Sequence, residues 1–341
     1  MAAAFQTALN DWAASDRHRG VSAAVILPNG AEWVSTAGIE GLGRPLLPDH
    51  LIVIASITKT MTGAVILQLA EEGRLDLDDA ISRWLEPRPN IDPNITIRQL
   101  LNHTNGLANY TTNGDLVAAI NADPAHVFTA EELLEFVGPR SFAPGERTEY
   151  TNTSFLLLGM IAQAATGVPI TTLYHERVWG PTGLTEIFLP GAEGPAGPVA
   201  RAWSGQPPAQ SEVDPLERMS LLSVGNSAFG LYSNARTVAR WGHALFAGKV
   251  LGDRMRAEML EFVPAAGNIF GESGAGLGIR KYSYLGREQW GHSGGASLGS
   301  SLLLFDPATK TTVVVIMNQG SGADHFVLAP RLLEIATSGE P

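Results

Sequence analysis

A serine and a lysine three residues apart, Ser56-Ile57-Thr58-Lys59, stand in the apolar stretch LIVIASITKTMTGAVILQLAEEG. Lysine is scarce in this chain: the others are Lys249, Lys281 and Lys310. Apolar residues recur at helical spacing from Ile57 to Ala70, and Gly73 follows as a C-terminal cap. If Ser56 opens this helix, Lys59 lies one turn further along the same face, so hydroxyl and amine can meet. A helix N-terminus adds free N–H groups and partial positive charge, which suit an oxyanion. A buried ammonium is costly unless it is paired or deprotonated, so its presence asks for a reason. The chemistry this suggests is an activated serine nucleophile. The plainer alternative makes Ser56 an N-cap and lets Lys59 reach outward to solvent.

Two further segments could supply partners. Tyr150-Thr151-Asn152 directly precedes an apolar helical segment, and His292-Ser293-Gly294-Gly295 lies in a late, strand-rich region. A serine hydroxyl is a poor nucleophile until a base takes its proton. A buried lysine of depressed pKa can serve, and a phenol of pKa about 10 can be lowered by a nearby cation. Sequence leaves open which of the two is the base. For Tyr150 and Asn152 the alternative is a helix N-cap beside an ordinary turn tyrosine.

An S-x-x-K, then a Y-x-N, then a K-T-G-like strand form the signature of the penicillin-recognising serine hydrolases. On these motifs the chain resembles the class C β-lactamase and D-alanyl-D-alanine carboxypeptidase family, including its esterases, over nearly its whole length. The flanks LLNHTNGLANY, YTNTSFLLLGMIAQAATG, GLYSNARTVARWGHAL and GLGIRKYSYLGREQWGHSGG extend the likeness. Histidine in place of lysine in the third element is similar to the carboxypeptidase branch.

The resemblance implies roles for particular residues. Ser56 would form an acyl-enzyme, and Lys59 would deprotonate it or hold a proton network together. Tyr150 would relay the proton to the leaving group, and Asn152 would orient Lys59 and the substrate amide. The N–H groups of Ser56 and Gly295 would form the oxyanion hole, with Ser293 and Gly294 lining the substrate. Arg280 and His292 would hold a substrate carboxylate, His292 more strongly as pH falls toward its ordinary pKa of ~6.5. The alternative for Arg280 is a charge on the strand surface. The implied function is hydrolysis of amide or ester bonds, foremost as a D-alanyl-D-alanine carboxypeptidase or D-amino-acid peptidase. Carboxylesterase, β-lactamase and an inactive penicillin-binding paralogue are the alternatives. The expected partner is a small-molecule or peptide substrate, with no cofactor.

Gly291-His292-Ser293-Gly294-Gly295 also matches G-x-S-x-G, the nucleophile elbow of another hydrolase fold. That elbow needs a helix after the serine, whereas 296–305 reads as strand. Its acid and histidine would have to be Asp306 or Asp324 and His325.

Composition narrows the classes. The 341 residues are 45% hydrophobic and 17% charged, ordinary for a globular protein, and a net charge of −11 disfavours nucleic-acid binding. With no cysteine, disulfides and thiolate chemistry are excluded, and the eight histidines show no metal-ligand spacing. No run approaches a membrane span, and no signal peptide is legible, so compartment and oligomeric state stay open.

Helices are expected at 2–15, 57–70, 96–101, 130–137, 154–166, 235–246 and 325–336. Strands are expected at 22–27, 31–37, 276–285, 287–291, 300–305 and 311–317. The Gly/Pro-dense stretch 189–209 reads as surface loop. Strands at both ends with helices between predict an α/β (α+β) fold: an antiparallel sheet flanked by helices, with an inserted helical domain. Residues 1–74 and 225–341 would form the sheet domain and 75–224 the helical one; the resemblance implies a β-lactamase/transpeptidase-like arrangement.

Overall fold

The runs SSLLLF (300–305) and TTVVVIM (311–317) have little polar surface to show to water, so strands built from them must be covered on both faces. The computed structural model describes residues 1–207, 209–265, 271–320 and 324–338, and both runs lie in the middle of its main sheet. Its nine antiparallel strands are β1 (Gly20–Ile26), β2 (Glu32–Gly41), β3 (Arg44–Pro45), β4 (Val263–Pro264), β5 (Glu272–Ala275), β6 (Arg280–Tyr284), β7 (Arg287–Ala296), β8 (Gly299–Asp306) and β9 (Thr311–Met317). They lie in the order β3-β2-β1-β9-β8-β7-β6-β5-β4. Asn29-Gly30 turns β1 into β2, with Gly30 at φ +82° and Asn29 Oδ1 accepting from Ala31 N at 3.0 Å.

Strand alternation sends successive residues to opposite faces. Val21, Ala23, Leu302, Leu304, Val313 and Val315 face one way, under Phe5, Leu9 and Trp12 of α1 (Ala2–Ala13). Leu328, Leu332 and Leu333 complete that layer; they belong to the C-terminal helix His325–Thr337. Ala24, Leu303, Phe305, Val314 and Ile316 face the other way and join one cluster with three more helices. These are α2 (Thr58–Glu71), α3 (Thr153–Thr166) and α4 (Ala235–Phe246); the C-terminal helix is α5. Every residue of α2 from Thr58 to Ala70 is buried except Gln68, as expected of a helix that is apolar all round. Its threonines are satisfied: Thr60 Oγ1 donates to Ile57 O at 2.8 Å and Thr62 Oγ1 to Ser227 O at 2.6 Å. Gly73, at φ +69°, ends the helix where expected.

Four expectations need correction. The expected strand 276–285 begins only at Arg280, because Gly276–Ile279, with Gly278 at φ +81°, is the turn that joins β5 to β6. A Cβ on Gly278 would lie 3.1 Å from Gly63 Cα and 3.2 Å from Lys59 O, so that turn lets the sheet approach α2. The strand expected to stop at Gly291 runs on through His292–Gly295 to Ala296. Residues 189–209, of which 208 lies outside the described residues, are not simply surface loop. Ala202–Ser204 pairs with Ser211–Val213, and Asn318 Nδ2 donates to Arg201 O at 2.9 Å, tying the stretch to the sheet. The expected helix 130–137 ends earlier, as Ala130–Leu134. Ile187–Phe188, Ile52–Val53 and Tyr232–Ser233 form a separate three-stranded sheet. No single helix among the described residues is long and apolar enough to cross a membrane.

The sheet packs tightly on the turn before Ser56 at Gly294. A Cβ there would lie 2.2 Å from Ser301 Oγ, 2.5 Å from Ile54 O and 3.0 Å from Ala55 Cβ, whereas one on Gly295 meets nothing within 4 Å. Gly294→Ala should therefore cost about 1–3 kcal/mol of stability as an overpacking change. Gly295→Ala should be near neutral. Urea denaturation of the two variants checks this, and equal midpoints would contradict the close contact.

Candidate active site

Ser56 sits in a short 3-10 turn, Ala55–Ile57, directly ahead of α2. Ala55 has φ +47°, a conformation that costs a residue with a Cβ on the order of 1–3 kcal/mol. The turn is held from two sides: Ile54 N donates to Leu231 O at 2.9 Å, and Ser301 Oγ donates to Ile54 O at 2.8 Å. Ile57, not Ser56, is the N-cap residue of α2, and Lys59 is fully buried. The reading of Ser56 as a cap with a solvent-seeking lysine is thereby excluded.

Lys59 Nζ reaches Asn152 Oδ1 at 2.7 Å, Ala228 O at 2.9 Å and Ser56 Oγ at 3.3 Å. The rings of Tyr150 and Phe155 lie 4.8 and 5.4 Å from the nitrogen. Burial drives the amine's pKa well below its ordinary value, and the nearby Arg280 charge lowers it further. Asn152 is the N-cap residue of α3, yet its side chain makes no cap hydrogen bond. Its Oδ1 serves Lys59, and its Nδ2 donates to Thr111 Oγ1 at 3.3 Å.

Tyr150 OH donates to Ser56 Oγ at 2.7 Å. The residue is 37% exposed, but its hydroxyl end is turned inward onto Ser56. Burial of that end pushes the phenol up to about 12, against the pull of the Ser56 hydrogen bond and Arg280. The expected lowering by a cation is thus overridden by desolvation.

His292, on β7, is 2% exposed, and its Nδ1 lies 2.6 Å from Ser293 O. A carbonyl can only accept, so Nδ1 carries the proton and Nε2 is the acceptor of a neutral ring. Burial lowers its pKa well below the ordinary value, followed by the charges of Arg280 and Lys59. The expectation that His292 gains charge as pH falls toward 6 is therefore wrong: this imidazole is desolvated beside two cations. Arg280 is likewise not a surface charge. It is 4% exposed, its Nη1 lies 2.7 Å from Glu272 Oε1, and its Cζ sits 5.0 Å from the Tyr150 ring centre. Burial raises the pKa of Glu272, and Arg280 opposes that rise.

Ser56, Lys59, Tyr150, Asn152, Arg280 and the stretch 292–295 are thus brought together. Ser293 supplies the carbonyl that orients His292, Gly294 packs on the Ser56 turn, and Gly295 borders a cavity of about 420 Å³. The elbow alternative fails, because Ser293 lies within a strand that leads into another strand. Asp306 accepts from the N–H groups of Ala308 and Thr309, and Asp324 pairs with His18, so neither serves a triad. Among the described residues no group of three or more His, Asp or Glu is placed to hold a metal ion.

Two neighbours of Tyr150 escaped sequence reasoning. His103, buried at φ +62°, packs its ring at a tilt against Tyr150 with ring centres 4.6 Å apart, and its Nδ1 accepts from Thr151 N at 3.3 Å. Its segment LLNHTNG was visible as a flank, but nothing in it pointed to the tyrosine. Glu272 had no pattern at all, since only the β5–β6 hairpin brings it to Arg280.

The Beta-lactamase family model matches residues 4–337, and the chain belongs to that family and has its fold. A D-stereospecific amidohydrolase from Streptomyces superposes with TM-score 0.86 at 29% identity, covering all of both chains. The D-amino acid amidase of Ochrobactrum anthropi gives TM-score 0.88 at 26% identity, over 99% of each chain. Esterase EstB of Burkholderia gladioli is 32% identical over 163 residues, 44% of this chain and 41% of EstB. The chain thus spans under half the length of that curated relative.

The two buried imidazoles give a stability signature. His103 and His292 are both held neutral in the fold, with burial the main cause, and regain a pKa of ~6.5 on unfolding. Below about pH 6.5 the unfolded chain takes up protons that the native chain refuses, so stability falls as pH falls. Each group should add a slope of up to about 1.4 kcal/mol per pH unit. Urea unfolding across that range should show His103→Gln with a shallower slope than the parent; an identical slope would contradict a neutral His103.

Proposed function

We propose that this chain is an acyl-serine hydrolase of amide or ester bonds, foremost of D-amino-acid peptides or amides of the D-alanyl-D-alanine carboxypeptidase kind. The observation that carries the reading is Ser56 Oγ lying 3.3 Å from a desolvated lysine and 2.7 Å from a phenol. A neutral Lys59 has two N–H bonds and one lone pair. The two shortest contacts, to Asn152 Oδ1 and Ala228 O, use the N–H bonds. That leaves the lone pair for the Ser56 O–H, which makes Lys59 the base for acylation. Tyr150, protonated and already donating to Ser56 Oγ, gives its proton to the leaving group as the acyl-enzyme forms. It is restored through Lys59, and the same network run in reverse activates water. The N–H groups of Ser56 and Gly295 hold the oxyanion.

Arg280 acts here mainly as a positioning residue. Its charge lowers the pKa of Lys59, while its pairing with Glu272 holds it against the Tyr150 ring. Anchoring a substrate carboxylate at Arg280 would require Glu272 to yield, and neutral His292 cannot replace that charge. The D-peptide reading is supported by the full-length likeness to the D-stereospecific amidohydrolase and the D-amino acid amidase. A carboxylesterase is the second reading, favoured by the similarity to EstB. In either case 1–74 with 225–341 act as the sheet unit and 75–224 as the helical unit bearing Tyr150 and Asn152.

Ser56→Ala should abolish turnover of D-alanyl-D-alanine peptides, D-amino-acid amides and p-nitrophenyl esters, together with fluorophosphonate labelling. Lys59→Ala should nearly do so, because nucleophile and base act as a unit. Retention of a tenth of the activity by Ser56→Ala would sink the assignment.

Arg280→Gln tests the base. Removing a positive neighbour raises the pKa of Lys59, so the acid limb of kcat/KM should move to higher pH on a neutral ester. An unmoved limb would refute Lys59 as the group that titrates. A loss at least roughly tenfold greater on a D-alanyl-D-alanine peptide than on that ester would instead assign Arg280 to a substrate carboxylate.

A further inference from the structure

A cavity of about 420 Å³ reaches the site at Asn152 and Gly295, while Ser56, Tyr150, His292 and Arg280 do not line it. Its wall is largely apolar, with Leu116, Ile120, Leu222, Val224, Phe229 and Leu298. Two hydrogen-bond donors in that wall have no partner among the described residues. Tyr232 is 2% exposed, and its buried hydroxyl meets no acceptor. Burial raises its pKa, so it keeps its proton as a donor. Arg218 Nε is also buried without a partner, and its Nη2 has only a long contact, 3.4 Å, to Asn121 Oδ1. No aspartate or glutamate lines the cavity among the described residues. Asp214, close by in sequence, is occupied by Arg201 at 2.9 Å.

We propose that this cavity receives the acyl part of the substrate and selects apolar acyl groups ending in a carboxylate, discriminating against those whose far end is an ammonium. The inference rests on the acyl-serine reading. Tyr150 serves the leaving group from its own side of Ser56, which leaves the Asn152 and Gly295 side to the acyl group. Apolar walls take a methylene chain or a bulky side chain. A guanidinium with no carboxylate partner and a free phenol then meet two acceptor oxygens at its far end. An ammonium in the same place finds a cation and no carboxylate to offset its lost hydration.

The test uses the full chain and p-nitrophenyl esters that share one leaving group. Half-esters of glutaric, adipic and suberic acid supply the anionic end at different reach; hexanoate is the neutral reference and 6-aminohexanoate the cationic one. The best half-ester should exceed the aminohexanoate by roughly tenfold or more in kcat/KM, the range expected for one charge-assisted contact. Arg218→Glu should invert that order and Arg218→Lys should keep it. Should Arg218→Glu not fold, Tyr232→Phe should still narrow the half-ester advantage over hexanoate. An order indifferent to charge, or unaltered by Arg218→Glu, while hexanoate hydrolysis still depends on Ser56, overturns the cavity assignment and leaves the acyl-serine reading standing. Absence of both ester hydrolysis and fluorophosphonate labelling of Ser56 overturns the two together.

Discussion

A lysine amine without solvent and without a carboxylate is tolerable only if it is neutral or ringed by acceptors. Lys59 is ringed by Asn152 Oδ1, Ala228 O and Ser56 Oγ, each from a different part of the chain. Much of the local structure follows from completing that ring. Asn152 occupies an N-cap position but gives its side chain to Lys59 instead of its own helix. The turn at 226–229 brings the Ala228 carbonyl inward, held by Ser227 Oγ donating to Phe155 O at 2.9 Å. Apolar burial along α2 supplies the compensation. Met61, Val65, Ile66, Leu67 and Leu69 are fully buried, each contributing about 1.5–3 kcal/mol.

Close approach of backbone segments is the second requirement. Gly294 lets β7 lie on the Ser56 turn, and the Gly63–Gly278 contact lets α2 approach the β5–β6 connection. Short contacts of this kind hold strained Ala55 in place. They also leave little freedom for Ser56 to drift from Lys59 and Tyr150, the kind of preorganisation that nucleophilic catalysis demands.

Desolvation separates the ionisable groups by type. The same burial lowers the pKa of Lys59, His103 and His292 and raises that of Tyr150 and Glu272. It favours every neutral form at once. Arg280 cannot deprotonate, so it is the lasting positive charge among these groups, and Glu272 is its partner. The site is therefore less charged than its residue list suggests, which is why an imidazole expected to act as a cation does not.

The sequence by itself determined most of the main elements and the pairing of Ser56 with Lys59. Period-two and period-3.6 patterns marked the β1–β2 hairpin, the buried strands β8 and β9, and helices α2, α3 and α4 within a few residues. The spacing of Ser56 and Lys59 announced their encounter, since four residues make one helical turn. The tertiary structure alone decided what surrounds them. Glu272 meets Arg280 only because a glycine turn folds 272–284 back on itself, and His103 reaches Tyr150 from 47 positions away. Local pattern carries hydrophobic periodicity and turn chemistry; it carries no record of which distant charge will be buried beside which. Desolvation depends on the whole packed environment, so the neutrality of His292 and the protonated state of Tyr150 become legible only once the chain is folded.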